Sequence, residues 1–139
     1  MSTYGATYEH IVSTLRNDAT LTGLVAGRVY QGVVPVEATY PLVFIQPFGD
    51  AEDVYFNGHD RAMTRLVISA SVSGPATLAQ LEPVFNRVDF LLHASGPAEN
   101  SRGHIAQCVR ISHSTLSEIN DGIVWQFLAG RYELLVTDK

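Results

Sequence analysis

Four consecutive apolar residues, Leu42-Val43-Phe44-Ile45, constrain this chain more than any other feature. Successive side chains of a strand point to opposite faces, so an apolar run with no polar alternate predicts a strand buried on both faces, at the centre of a sheet. Such a strand needs a layer above it and another below, from the rest of the chain or from a partner subunit. Pro41 removes a backbone donor just before the run, and Tyr40 is held towards extended geometry by the proline after it. Residues 29–34 form an earlier run rich in Val and Tyr, which favour a pleated backbone. The segment 27–47 therefore predicts two strands, residues 29–34 and 42–46, joined through a connection marked by Pro35.

The chain around this segment has 139 residues, the size of one domain with one core. Charged residues make up 17%, below the usual ~25%, while 46% are hydrophobic. So little charge on a small domain predicts that part of its surface is hidden in a homo-oligomer. The formal net charge is −5, and the basic residues are eight Arg and one Lys, Lys139. An acidic balance argues against a nucleic-acid-binding module, which concentrates positive charge against phosphates. Arg in place of Lys suits protein contacts, where the planar fork pairs with carboxylates, and it equally suits a GC-rich coding sequence. A single cysteine, Cys108, excludes an internal disulfide and a multi-cysteine metal site. No apolar run approaches ~18 residues and no basic-then-apolar leader opens the sequence, so neither a membrane span nor secretion is expected.

The pattern predicts an α+β domain over residues 1–139, in which a mixed or antiparallel sheet is packed by one main helix and two N-terminal helices, in the order α-α-β-β-β-α-β-β. Tyr4, Tyr8, Ile11, Val12 and Leu15 recur at helical spacing behind a cap at Ser2 or Thr3. Asp18 can cap a short second helix carrying Leu21, Leu24 and Val25, with Gly27 as its left-handed terminator. Residues 49–60 form a polar segment with Asn57-Gly58 near its middle, the form of an extended hairpin tip or a loop. Thr64, Leu66, Ile68, Ala70 and Val72 alternate, as one core-facing side of a strand does. Leu78, Leu81, Phe85, Val88 and Leu92, widened by Val84 and Leu91, make the stripe of the main helix. Pro83 interrupts it, predicting either a kinked continuous helix or one that begins near Glu82. Residues 104–113 alternate Ile105, Gln107, Val109 and Ile111 against Ala106, Cys108, Arg110 and Ser112. Asn120-Asp121-Gly122 then turns into a final strand over 123–137. There the apolar phase changes between Trp125, Phe127, Ala129 and Tyr132, Leu134, Val136, which predicts a β-bulge at Ala129-Gly130.

Chemistry is sparse. His10, His59, His93, His104 and His113 show no metal-ligand spacing and are expected at the surface or rim. There is no phosphate-cradling glycine loop, no nucleophile elbow and no dinucleotide fingerprint. Cys108 reads as a packing thiol, since nothing basic in the sequence can be assigned to activate it. Asp50, Glu52 and Asp53 are the one candidate cation cluster, yet they lack the further oxygens, glycine hinge and terminal Glu of a calcium loop, so a solvated acidic loop is the expectation. Val54, Tyr55 and Phe56 follow directly. Three bulky apolar residues in a polar loop suggest a subunit contact, or packing on the domain's own sheet. No cofactor, metal or catalytic residue is expected, and the chain does not read as an enzyme.

The residues LRNDATLTGLVAGRVYQGVVP followed by ATYPLVFIQP resemble the tail-completion, or tail-terminator, proteins of long-tailed bacteriophages. The shared pattern D-x-x-L-x-x-L-V-x-G-R-[VI]-Y falls on Asp18, Leu21, Leu24, Val25, Gly27, Arg28, Val29 and Tyr30, with Pro35 and Tyr40-Pro41 after it. The later order of elements is also similar, and Pro83 and the long 49–60 segment depart from it. The resemblance implies a homo-hexameric ring at the head-proximal end of the tail tube, in the neck of the virion. Such a ring stops tube growth, meets the tail-tube protein on one side and the head–tail connector on the other, and lets genome DNA pass through its lumen without specific binding. Asp50, Glu52, Asp53, Val54, Tyr55 and Phe56 are the candidate subunit or lumen contacts under that implication. A head-closure (stopper) protein and a small-molecule-binding α+β domain are the alternatives.

Overall fold

The computed structural model describes residues 2–56 and 60–138, with side chains outside the description at 1–3, 56–62 and 138–139. The cap expected at Ser2 or Thr3 and the Asn57-Gly58 tip therefore lie outside the described residues. Three helices, α1 (Ser2–Arg16), α2 (Ala19–Val25) and α3 (Leu78–Leu92), accompany seven strands of a single sheet. The strands are β1 (Val29–Gln31), β2 (Leu42–Pro47), β3 (Glu52–Phe56), β4 (Asp60–Gly74), β5 (Ala98–Glu99), β6 (Gly103–Asn120) and β7 (Ile123–Asp138). The α+β class and the order of elements are as expected, with β3 and the two-residue β5 as additional strands. The sheet runs β1-β2-β4-β7-β6-β5, and β3 pairs with the first half of β4. Only β1 and β2 are parallel; every other pair is antiparallel, so the sheet is mixed.

The core lies between one face of this sheet and the helices. Ala6, Ile11 and Leu15 of α1, Leu21 and Val25 of α2, and Leu81, Val84, Phe85, Val88 and Leu92 of α3 are buried against Val43, Ile45, Leu66, Ile68, Ala70, Val72, Tyr132, Leu134 and Val136. The stripes expected for α1, α3 and β4 are those that pack, apart from Leu78, which is exposed. No described helix covers the opposite face. Leu42, Val43 and Ile45 are buried as the apolar run predicts, whereas Phe44 points to the bare face and is only half-buried. β2 is also second from the sheet's edge rather than central; the middle is the β4–β7 pair. Leu42 shares the face of Phe44 by register, opposite Ser73 and Ser71, yet is buried, so the run is covered on both faces at its start.

Three further expectations are corrected, and of the two alternatives for α3 the continuous helix is the one observed. β1 stops at Gln31 because Gly32 turns the chain at φ +76°, leaving Val33 and Val36 exposed. α2 ends with Ala26 as well as Gly27 in left-handed geometry, and Leu24 is exposed rather than core. α3 is continuous from Leu78, because Thr77 and Gln80 form a reciprocal capping box that starts it ahead of Pro83. β7 carries no bulge. Its register against β4 is unbroken, and Leu128, Gly130, Tyr132, Leu134 and Val136 share the core face. Trp125, Phe127 and Ala129 simply occupy the other face, so apolar residues on both sides imitate a slip. Gly130 is needed for space, since a Cβ there would lie 2.9 Å from the Tyr132 ring. The register shifts fall on β6 instead, at Ile105/Gln107 and Arg110/Ser112. The first of them puts Ile105 and Cys108, three residues apart, on the same buried face.

Ion pairs and hydrogen bonds tie the layers together. Asp18 caps α2 by accepting from the Leu21 N–H at 2.8 Å, and takes a bidentate pair from Arg87 of α3 at 2.9 and 2.6 Å. Asp89 of α3 accepts from the buried Tyr132 hydroxyl of β7 at 2.8 Å and from Arg110 of β6 at 2.9 Å. Arg87, chiefly, and the Leu21 N–H hold the Asp18 carboxyl at about 2, below its ordinary 3.8.

Two measurements test this packing. Leu134→Ala should cost about 2–5 kcal/mol in urea unfolding, whereas Ile119→Ser, on an exposed strand, should stay within about 0.5 kcal/mol. Because the folded value of Asp18 is depressed, its contribution is complete above pH ~4 and disappears as pH falls through about 2. The stability gap between the wild type and Asp18→Asn should therefore narrow steadily from pH 5 to pH 2.

Candidate functional site

The residues that carry the N-terminal sequence pattern do structural work. Asp18 caps α2 and binds Arg87; Leu21 and Val25 are core; Gly27 turns at φ +74°. Arg28 donates from Nε to the Pro41 carbonyl at 3.0 Å, closing the 28–41 connection, and Val29 opens β1 beside Val43. None of these residues is positioned for catalysis.

The acidic segment is the first arm of a hairpin. Glu52 is exposed and accepts from Arg65 at 3.0 Å, and Asp53 accepts from the Thr64 hydroxyl at 3.1 Å across the β3–β4 pair. Asp50 is exposed in the turn before the strand. Val54 is half-buried, Tyr55 is exposed, and the Phe56 side chain lies outside the described residues. Among the described residues, no group of three His, Cys, Asp or Glu side chains converges as a bound cation requires. His10, expected at the surface, is instead buried, with Nε2 2.9 Å from the Ser95 hydroxyl, and burial lowers its pKa. His93 accepts from the Arg110 N–H at the end of α3, while His104 and His113 are exposed; His59 lies outside the described residues. Burial pushes the Cys108 thiol up to about 11, against an opposing hydrogen bond from Ser95. A thiol in that state is a packing group rather than a nucleophile.

Residues 114–119, to which the sequence assigns no element, belong to an exposed apolar surface. β6 continues through residues 114–119 to Asn120, and the two-residue Asp121-Gly122 turn, with φ +52° and +76°, returns the chain into β7. Two left-handed residues in a two-residue loop are what a type I′ hairpin needs, and Asp-Gly is its favoured sequence. That dipeptide between Ile119 and Ile123 was the available signal. All fourteen residues from Ile111 to Val124 are exposed, including Leu116, Ile119, Ile123 and Val124. The pairs Glu118–Trp125, Ile119–Val124 and Asn120–Ile123 extend past the last β4–β7 pair, Gly74–Gln126, so the hairpin tip projects from the sheet as a two-stranded arm. A cleft of about 660 Å³ opens between the arm and the start of α3, lined by Pro75, Ala76, Leu78, Ile123 and Val124.

The bare sheet face carries a second hollow, of about 440 Å³, bordered by Phe48, Asp50, Glu52, Arg65, Val67 and Arg131. The Arg131 guanidinium stacks 4.4 Å above the Phe48 ring, and its buried Nε has no hydrogen-bond partner among the described residues.

No protein-family profile and no curated protein matches the chain. A solved structure does: it superposes on a chain of the virion of a native gene transfer agent (GTA) particle with a TM-score of 0.72, over 97% of this chain and 98% of that one, at 19% identity. The two chains share a fold. The alignment spans nearly the whole of both chains. No described helix is long and apolar enough to cross a membrane.

The thiol supplies a test of this packing. Cys108 should resist maleimide at pH 7.5 in the native protein and label completely in denaturant; rapid native labelling would contradict its burial.

Proposed function

We propose that this chain is a structural virion protein of a tailed phage or phage-like particle, and specifically a tail terminator. In this reading six copies form a ring at the head-proximal end of the tail tube, stop its growth and join it to the head connector. The observation that carries the proposal is the end-to-end fold shared with a virion chain, 97% of one on 98% of the other. The N-terminal sequence pattern favours the terminator among virion proteins.

The surfaces suit such a role. A head-to-tail contact repeated about an axis closes into a ring when its rotation divides a full turn. The chain offers unlike patches for that contact in its exposed arm and bare sheet face. An acidic chain of net −5 lets DNA slide through a lumen, because each cation–phosphate contact would hold it back. In this reading Asp50, Glu52 and Asp53, all exposed, are candidate subunit or lumen contacts, together with Val54, Tyr55 and Phe56 of the same hairpin. No catalytic step, metal or cofactor enters this function.

Electron microscopy of purified tails mixed with the protein tests it. Rings should cap tube ends, and tails made without the protein should be of uneven length and unable to join heads. Binding only to portal-bearing heads would assign head closure instead, and a monomer that ignores both tails and heads would overturn the proposal. Reversing Asp50, Glu52 and Asp53 together should slow DNA ejection or impair head–tail joining, with unchanged titre counting against their lumen role.

A further inference from the structure

The arm carries an unpaired carboxylate, Glu118, and the hollow on the bare face an unpaired guanidinium, Arg131, among the described residues. On the hairpin, Glu118 pairs with Trp125 and Leu116 with Phe127, which sets all four on the same side of the sheet as Arg131. Glu118 is exposed and makes no ion pair among the described residues. The hollow has apolar walls from Phe48 and Val67 and a mixed set of charges: Glu52 and Glu133 pair with Arg65, while Arg131 and Asp50 make no ion pair among the described residues. A guanidinium without an ion pair is best matched by a carboxylate.

The two cannot meet within one copy. Glu118 stands opposite Trp125 and Arg131 lies six residues further along the same strand, about 20 Å away at ~3.3 Å per residue. The edge of β6 over residues 111–120 is also free of the Lys, Pro and bulges that natural sheets use to blunt an edge, apart from the shift at Arg110/Ser112.

We infer that the arm of one copy docks on the bare sheet face of a second copy, with Leu116 against Phe48 and Val67 and the Glu118 carboxylate on Arg131. This rests on the ring reading above and names the contact that builds the ring. The contact is heterologous: each copy gives an arm on one side and receives one on the other, as closure requires.

Disulfide trapping tests it. In the double variant Glu118→Cys/Val67→Cys, the two positions lie eight residues apart along β7's register, about 26 Å, far beyond the ~7 Å Cα separation a disulfide spans. Any bond formed is therefore between copies, and the buried Cys108 stays out of the reaction. Oxidation of the protein, free and bound to tails, should give a ladder of linked species on a non-reducing gel, while each single variant stops at dimer. In a second measurement, Arg131→Glu should weaken assembly by about 30-fold or more in native mass spectrometry, and adding Glu118→Arg should recover most of the loss. Matching circular dichroism would show that both variants fold. An oligomer that forms without the ladder and ignores the charge swap overturns the arm contact and leaves the terminator reading intact. A chain that caps no tails and stays monomeric overturns both.

Discussion

The eleven-residue pairing of β4 with β7, from Thr64–Val136 to Gly74–Gln126, is the constraint on which the rest of the structure depends. Its register is unbroken, so every alternate residue of both strands stays on one face along the whole length. That single phase decides which side the helices can cover. Leu66, Ile68, Ala70 and Val72 meet Leu134, Tyr132, Gly130 and Leu128 across the pair, and α1 and α3 pack on the plane these residues make. The irregularities lie outside that pairing: two shifts on β6, and one in the β3–β4 pair between Val54 and Tyr55, where β4 carries the extra residue before it meets β7.

A layer on one side only is the architectural result. The bare face is not polar in compensation, since Phe44, Val67, Trp125 and Phe127 lie on it half-buried. Trp125 meets Tyr40 edge-to-face at 4.8 Å, which shields part of its ring within the chain. A solitary antiparallel sheet with one wet face normally alternates apolar with polar residues. Here the alternation is blurred.

Much of this was legible in the sequence, and the failures have physical causes. The stripes of α1 and α3 and the alternation of β4 could be read because burial on one face leaves a clean period. β7 misled because both of its faces carry apolar residues, so a change of phase and a change of face look alike. On β6 the opposite error arose: strict alternation was assumed, while the shift at Ile105/Gln107 buries residues three apart. Residues 114–119 carried no signal because a strand exposed on both faces has no hydrophobic period at all, and only the Asp-Gly turn betrayed it. The acidic residues were visible as a cluster, but their neighbours Arg65 and Thr64 come from a strand eleven or more positions away, which pattern alone does not pair.

Asp89 carries a consequence beyond its own hydrogen bonds. Tyr132 and Arg110 approach its two oxygens from separate strands, so α3 is held at two points and cannot spin about its axis without losing both. Phe90, the next residue, is 72% exposed, with the Arg87 guanidinium 5.0 Å from its ring centre. The compass bearing of that outward ring is thus dictated by a carboxylate facing the interior: what the molecule shows to the world at this spot is steered from within.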